Sequence, residues 1–228
     1  MILAIDCSDK ACSIALGEAG SVFERYTDQA RQHARQIKPM YRELLTDSGV
    51  DQNKLSTIAV GAGPGSFTGL RIGFSFAQGL AYALSIPLLS ISSLEALAQS
   101  ELEACQGCDQ VETAFDARMG EIYCASFALS KGGLIRLKPD QLIASADFRP
   151  GQGENIALVG SAFALPGFSS IKAGYLNSGA CIRASAVLAL AENKIALGEC
   201  GKHALGAEPV YLRRENAWKT LEHQGKQE

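Results

Sequence analysis

The residues best placed to do chemistry in this 228-residue chain lie in one glycine-rich stretch, Gly61-Ala62-Gly63-Pro64-Gly65-Ser66-Phe67-Thr68-Gly69-Leu70-Arg71-Ile72-Gly73. It follows an apolar run and opens a long helical pattern, where free backbone N–H groups and the helix dipole can hold a phosphate. Neither common phosphate loop fits. A Walker loop needs Gly-Lys-Ser/Thr, and no lysine lies between Lys54 and Lys131; a dinucleotide loop begun at Gly63 needs glycine where Thr68 stands. Phosphate capture by the chain alone is therefore disfavoured. Ser66 and Thr68 read as helix-capping hydroxyls rather than nucleophiles, since no His or Lys stands near them in sequence to take a proton.

Metal and thiol chemistry are equally thin. The histidines are His33, His203 and His223. Two imidazoles sharing a metal on one helix face need a spacing of four, and the position four after His33 is Ile37. No metal is expected. Cys105-x-x-Cys108 has half the spacing of a zinc ribbon, but no second pair exists and it follows a helical pattern instead of opening one; these read as incidental thiols. Seven cysteines, an odd number without a secretory leader, are expected to be free in a reducing cytoplasm. Asp6 and Asp116 each end an apolar run and precede a tight turn, Cys7-Ser8-Asp9-Lys10 and Ala117-Arg118-Met119-Gly120. An Asx-type turn is the preferred reading for both.

Alternating strands and helices must position these groups. Strands are predicted at Ile2–Asp6, Cys12–Leu16, Ser21–Arg25, Thr57–Val60, Pro87–Ser90, Val111–Asp116 and Glu121–Leu129. Ile37, Met40, Tyr41, Leu44 and Leu45 make one helix face, with a start or kink expected close to Pro39. A long helix runs from the glycine turn to about Leu84; Ser92 opens another, with Glu95 at capping-box spacing. A fourth lies near Arg183–Leu197, closed by Gly198. Segments beyond Leu129 are short and rich in Gly, Pro and Ser, and the tail from Lys219 is polar. The echo of strand, Asp, turn and strand at Asp6 and Asp116 favours two related α/β units, 1–104 and 105–228, the last segment packing back on the first. An apolar content of 47% excludes disorder, and a net charge of −3 offers nucleic acid no broad positive field. No run approaches the roughly 20 apolar residues of a membrane span.

Gly65, Gly69, Gly73, Ala77 and Ala81 recur every four residues. Each interior glycine costs about 1 kcal/mol against alanine, so the ridge requires a close approach by another backbone. A helix of the same domain would serve, and so would one from a second chain. The other faces carry Phe67, Leu70, Phe74, Phe76 and Leu80, interrupted by Arg71, Ser75 and Gln78, which implies cover on several sides. Basic residues gather at Arg31, Arg35, Lys38 and Arg42 and at Arg213-Arg214, a solvated face by default or a contact for an acidic partner.

Together Ile5-Asp6-Cys7-Ser8, the segment Gly63–Gly73, the turn Asp116–Tyr123 and Pro209-Val210-Tyr211-Leu212-Arg213 resemble the TsaB (YeaZ) family of bacterial tRNA threonylcarbamoyladenosine biosynthesis proteins, over nearly the whole chain. Cys7 stands where that family usually has Thr, and Ala34 where it usually has Ser. The resemblance implies an α/β chain of two ribonuclease-H-like, actin-type domains of the sugar kinase–Hsp70–actin superfamily, the second smaller and degenerate. It implies a non-catalytic subunit whose partner TsaD, with the ATPase TsaE, transfers threonylcarbamoyl to N6 of adenosine 37 in tRNA. ATP and a metal would be used by those partners, with none bound by this chain alone; tRNA would be met only through the complex, in the cytoplasm and without a membrane. A homodimer and the TsaD heterodimer would both form through the two N-terminal helices, making Ile37, Met40, Tyr41, Leu44, Gly65, Gly69, Arg71, Gly73 and Ala77 the interface. Asp6, Ser66, Thr68 and Asp116 would be vestigial phosphate or turn positions, since equivalents organise Mg²⁺ and phosphates in ATP-using members of the superfamily. The rival readings are a stand-alone ATPase or small-molecule kinase of the same fold, needing nucleotide contacts in both halves, and a glycoprotease, which the scattered histidines argue against.

Overall fold

Strand β1, Ile2–Asp6, turns Leu3 and Ile5 to one side and Ile2 and Ala4 to the other, and all four are buried. A strand apolar on both faces belongs at the centre of a covered sheet. In the computed structural model, which describes residues 1–213 apart from Ala19, Ala30, Arg31, Gln106, Lys131 and Gly132, β1 is that centre. Arg31, Arg214, His223 and the polar tail from Lys219 lie outside the described residues. β1 pairs antiparallel with β2 (Cys12–Glu18), which pairs antiparallel with β3 (Ser21–Thr27). On its other side it pairs parallel with β4 (Thr57–Gly61), and β4 with β5 (Leu88–Ile91).

The second sheet repeats this plan. β6 (Gln110–Arg118) is central, antiparallel to β7 (Glu121–Ser130), which pairs with β8 (Gly133–Ala144). β9 (Gly153–Val159) and β10 (Ala173–Asn177) continue in parallel on the far side. Both five-stranded sheets therefore share one order and one set of directions, so the echo between Asp6 and Asp116 extends to the whole strand order. β8 is longer than the short segments expected beyond Leu129. It accommodates Pro139 because it is an edge strand whose register shifts opposite Cys124–Phe127, so the missing N–H breaks no central ladder.

The helices set the halves apart. α1 (His33–Ser48) and α2 (Phe67–Leu84) cover the outer face of the first sheet. α1 begins well before Pro39 and runs through it; that residue faces solvent, where the unbonded carbonyl one turn back meets water. The outer face of the second sheet has instead the 3-10 turns Ser161–Ala164 and Pro166–Phe168 and a cluster of Phe148, Phe163 and Phe168, with ring centroids 5.8 to 6.2 Å apart. α3 (Ser93–Ser100) and α4 (Ala184–Ala196) lie between the sheets in a shared core. Each crosses over: α3 follows β5 but packs on β6–β8, while α4 follows β10 but packs on β1 and β2. α3 is capped as its sequence demands, Ser92 Oγ accepting the Glu95 N–H at 3.2 Å. α4 takes its cap from the other half: Ser13 Oγ accepts the Ala184 N–H at 2.8 Å, and the Glu24 carboxylate accepts the Ser185 N–H at 3.0 Å. Among the described residues no helix is long and apolar enough to cross a membrane.

Candidate partner-docking face

Ser66 caps α2, its Oγ accepting the Gly69 N–H at 3.3 Å. Beyond it the glycine ridge faces the β1–β2 turn of the same chain. A Cβ at Gly65 would strike the Ser8 carbonyl, one at Gly69 would strike the Cys7 carbonyl, and one at Gly73 would lie 3.1 Å from Cys7 Cβ. The Ser66 N–H also donates to the Ser8 carbonyl, at 2.6 Å. Ala77 and Ala81 carry the ridge into the core, where Ile37, Met40, Tyr41 and Leu44 of α1 are buried with them. The backbone approach that the ridge requires is thus made by Cys7–Ser8, and by neither of the helices expected. Of the residues expected at the interface, Ile37, Met40, Tyr41, Leu44, Gly69, Gly73 and Ala77 are interior to this chain, and Gly65 is pressed on Ser8. Of the positions singled out there, only Arg71 is exposed.

The surface of α2 is its opposite stripe. Thr68, Ser75, Gly79 and Ala83 are exposed and Ile72 is half-buried; a Cβ on Gly79 would meet nothing within 4 Å. Phe67, 50% exposed, and Tyr82, 59% exposed, stand at either end. The chain then returns beside this helix. Lys202 bridges to Leu88, His203 meets the Tyr82 ring at 6.5 Å, and the Ala204 carbonyl accepts from Gln78 Nε2 at 2.7 Å. Further along, the Val210 N–H donates to the Ala62 carbonyl at 2.7 Å, and Tyr211 packs on Phe67 at 5.7 Å. Residues 202–211 therefore run as a strap antiparallel to α2, adding Leu205, 69% exposed, and Tyr211, 46% exposed, to its rim. Arg71 stacks 3.9 Å over the Phe67 ring, and Phe67, Thr68, Arg71, Ile72 and Ser75 line a shallow depression. Arg35, Lys38 and Arg42 of α1 are exposed.

The strap ends on the second half. Arg213 donates to the Ala117 carbonyl at 3.0 Å and pairs with Glu121. It thereby holds a turn in which Arg118 and Met119 both have positive φ, 65° and 57°, a conformation non-glycine residues rarely adopt. Spacing carried no signal for this strap; the resemblance of Pro209–Arg213 and the expectation that the last segment packs back on the first unit drew notice to it.

The strand-end carboxylates face inward. Asp6 Oδ1 accepts the Ser8 N–H at 3.0 Å, and Asp116 Oδ1 accepts the Arg118 N–H at 2.7 Å, the geometry of Asx turns. Asp6 is inaccessible, abuts Gly61 and, among the described residues, has no cation beside it, so burial pushes its carboxyl up to about 7. Such a group is turned away from any external phosphate. Asp116 is half-buried and ion-paired with Arg118 at 2.9 Å, while Thr68 lies open on the α2 face. Burial and the neighbouring Cys108 push the Cys105 thiol up to about 12, which makes it a poor nucleophile. His33 is buried with Nε2 3.0 Å from the Ala11 carbonyl, seating the start of α1 on the β1–β2 turn. Among the described residues no three of His, Cys, Asp and Glu gather closely enough to hold a metal ion.

Two sheets of one strand order, sharing a core of crossed-over helices, define a two-domain fold of the actin and ribonuclease H type, and the model of the family described as TsaD, tRNA N6-adenosine threonylcarbamoyltransferase, matches residues 25–198. Within that class the chain belongs to the TsaB family of tRNA threonylcarbamoyladenosine biosynthesis proteins. It is 36% identical to the tRNA threonylcarbamoyladenosine biosynthesis protein TsaB of Escherichia coli (strain K12), over 96% of this chain and 97% of that one. The Haemophilus influenzae protein of the same name is 33% identical, over 96% of each. The solved structure of YeaZ from Pseudomonas aeruginosa superposes with a TM-score of 0.85 at 34% identity, covering 92% of this chain and 99% of that one.

Proposed function

We propose that this protein is a non-catalytic subunit that docks on a TsaD-type threonylcarbamoyltransferase through the outer stripe of α2 and the strap beside it. The observation that carries this reading is the open Ser75–Gly79–Ala83 stripe flanked by Phe67, Tyr82, Leu205 and Tyr211. Small residues there let a partner helix approach closely, and the large apolar groups at the rim supply area to bury. Docking acts by population shift, favouring the competent conformation of the partner, which with a TsaE-type ATPase supplies the nucleotide and metal chemistry on cytoplasmic tRNA. Without TsaD the same face pairs two copies of this chain.

The test is titration calorimetry of the purified chain with TsaD, beside an assay of threonylcarbamoyladenosine in tRNA with each subunit omitted. Gly79→Leu and Ser75→Arg place bulk on the open stripe without touching the chain's own core, and each is expected to abolish association and modification. Phe23→Ser, on the exposed edge strand β3, leaves both intact. Undiminished association of both stripe variants sinks the reading. Tight binding of ATP and Mg²⁺ by the isolated chain would support a stand-alone ATPase or kinase instead.

A further inference from the structure

Continued one step past its last pair, Asp6–Ser13, the β1–β2 register places Cys7 opposite Cys12. Opposed residues of antiparallel strands keep their Cα atoms roughly 4.5–5.5 Å apart, within the roughly 4.4–6.8 Å that a disulfide spans. Both side chains point into the layer beneath α1 and α2, and the two sulfurs, present as free thiols, are 3.3 Å apart. Each residue is only 1% exposed, so the reagent that reaches them must be small.

We infer that Cys7 and Cys12 form a redox modification site, closed to an intramolecular disulfide by a hydroperoxide. One sulfur, as thiolate, attacks the peroxide O–O bond, giving a sulfenic acid and, once the departing oxygen is protonated, water. The second sulfur then attacks the sulfenic sulfur, forming the S–S bond and releasing the hydroxyl as a second water. In sum two thiols and one hydrogen peroxide give one disulfide and two waters; the sulfurs lose two electrons and the peroxide oxygens gain them. The contact with Cys12, together with burial, holds the Cys7 thiol well above its ordinary value. Thiolate is therefore scarce, and closure is slow near neutrality and faster in alkali.

The bridge would act on α1 and on the docking helix α2 through the turn it closes. The Cys7 carbonyl rests on Gly69, Cys7 Cβ on Gly73, and the Ser8 carbonyl on Gly65, while the Ala11 carbonyl contacts His33 of α1. Residues 7–11 are the wedge on which both helices sit. Tying Cys7 to Cys12 holds that wedge shut.

The test treats the full-length protein with hydrogen peroxide, then alkylates the remaining thiols with N-ethylmaleimide under denaturing conditions. Trypsin cuts after Lys10, between the two cysteines, so a bridge leaves Met1–Lys10 joined to Ala11–Arg25 in the mass spectrum. The joined pair is expected to become the main form of both peptides, to form faster at alkaline than at neutral pH, and to separate with dithiothreitol. Amide exchange across residues 7–11 slows in the oxidised protein. Cys12→Ser leaves Met1–Lys10 unjoined. Finding both peptides alkylated after the exposed Cys200 has been fully oxidised, or Cys7 joined to a different cysteine, overturns the inference.

Discussion

Gly69 and Gly79 lie ten residues apart on α2 and ask opposite questions of the same substitution. In an exposed helix interior, Gly→Ala stabilises by about 1 kcal/mol through helix propensity. At Gly79 nothing lies within 4 Å of the added methyl, so the full gain is expected: a rise in Tm of about 3 °C for a protein of this size. At Gly69 the methyl would enter the Cys7 carbonyl, whose turn is pinned by the Ser66 N–H on the Ser8 carbonyl at 2.6 Å. A backbone oxygen has no rotamer to escape into. Overpacking costs about 1–3 kcal/mol and here sits at or above the upper end, so after the propensity gain the net is a loss of about 2 kcal/mol or more and a fall in Tm of about 6 °C or more. Differential scanning calorimetry of Gly69→Ala, Gly79→Ala and the parent decides the matter. If Gly69→Ala melts as high as Gly79→Ala, the turn does not fill the ridge, and a partner's backbone regains its claim to it.

The carboxyl of Asp6, at about 7 in the fold against about 4 unfolded, binds its proton more tightly when folded; its contribution is complete below about pH 4 and lost as pH rises through 7. Asp6→Asn, neutral throughout, should therefore gain stability over the parent at about pH 8, by up to about 4 kcal/mol, with the advantage shrinking towards about pH 4; denaturant titrations showing a pH-independent difference would contradict this. Arg213→Ala removes the charged donor that joins the strap to Ala117 and Glu121. Hydrogen bonds of that kind are worth about 1.5–3 kcal/mol, so deuterium exchange at 117–121 and 207–213 should speed up about 10- to 100-fold while α1 is unchanged; equal protection in both proteins would refute a clamp. Ser13→Ala deletes the acceptor for the Ala184 N–H and should cost about 1 kcal/mol in urea denaturation without weakening association with TsaD. Lost association would mean that the two ends of the molecule are coupled.

Much of the frame was legible because local chemistry fixed it. An unbroken apolar run ending at Asp6 bounded β1, and Ser92 with Glu95 fixed the start of α3, each a signal contained in a few residues. The glycine ridge was legible as a demand for close approach but not as to what approaches. The answer is Cys7–Ser8, nearly sixty residues upstream, and a four-residue period cannot tell a distant turn from a foreign helix. The same limit hid the outer stripe: Ser75 read as an interruption in an apolar helix and Thr68 as a capping hydroxyl until the core had been assigned to the other side. β8 was obscured by Pro139, tolerated only because the strand is at an edge. α4 carries no capping side chain of its own, since Ser13 and Glu24 satisfy it across the molecule.

The strand order repeats, but the helical cover does not: among the described residues, α1 and α2 have as counterparts only short turns and three phenylalanine rings. Under the proposed docking, a molecule built from two like halves would thus offer, among the described residues, one such side and not two. If docking runs through that side as proposed, it would use up the whole valence of each participant and terminate at a pair, whether the companion is another copy or a relative of the same shape. With two such helices on the rear half as well, each subunit would offer two such surfaces, and head-to-tail growth into filaments would be open to it.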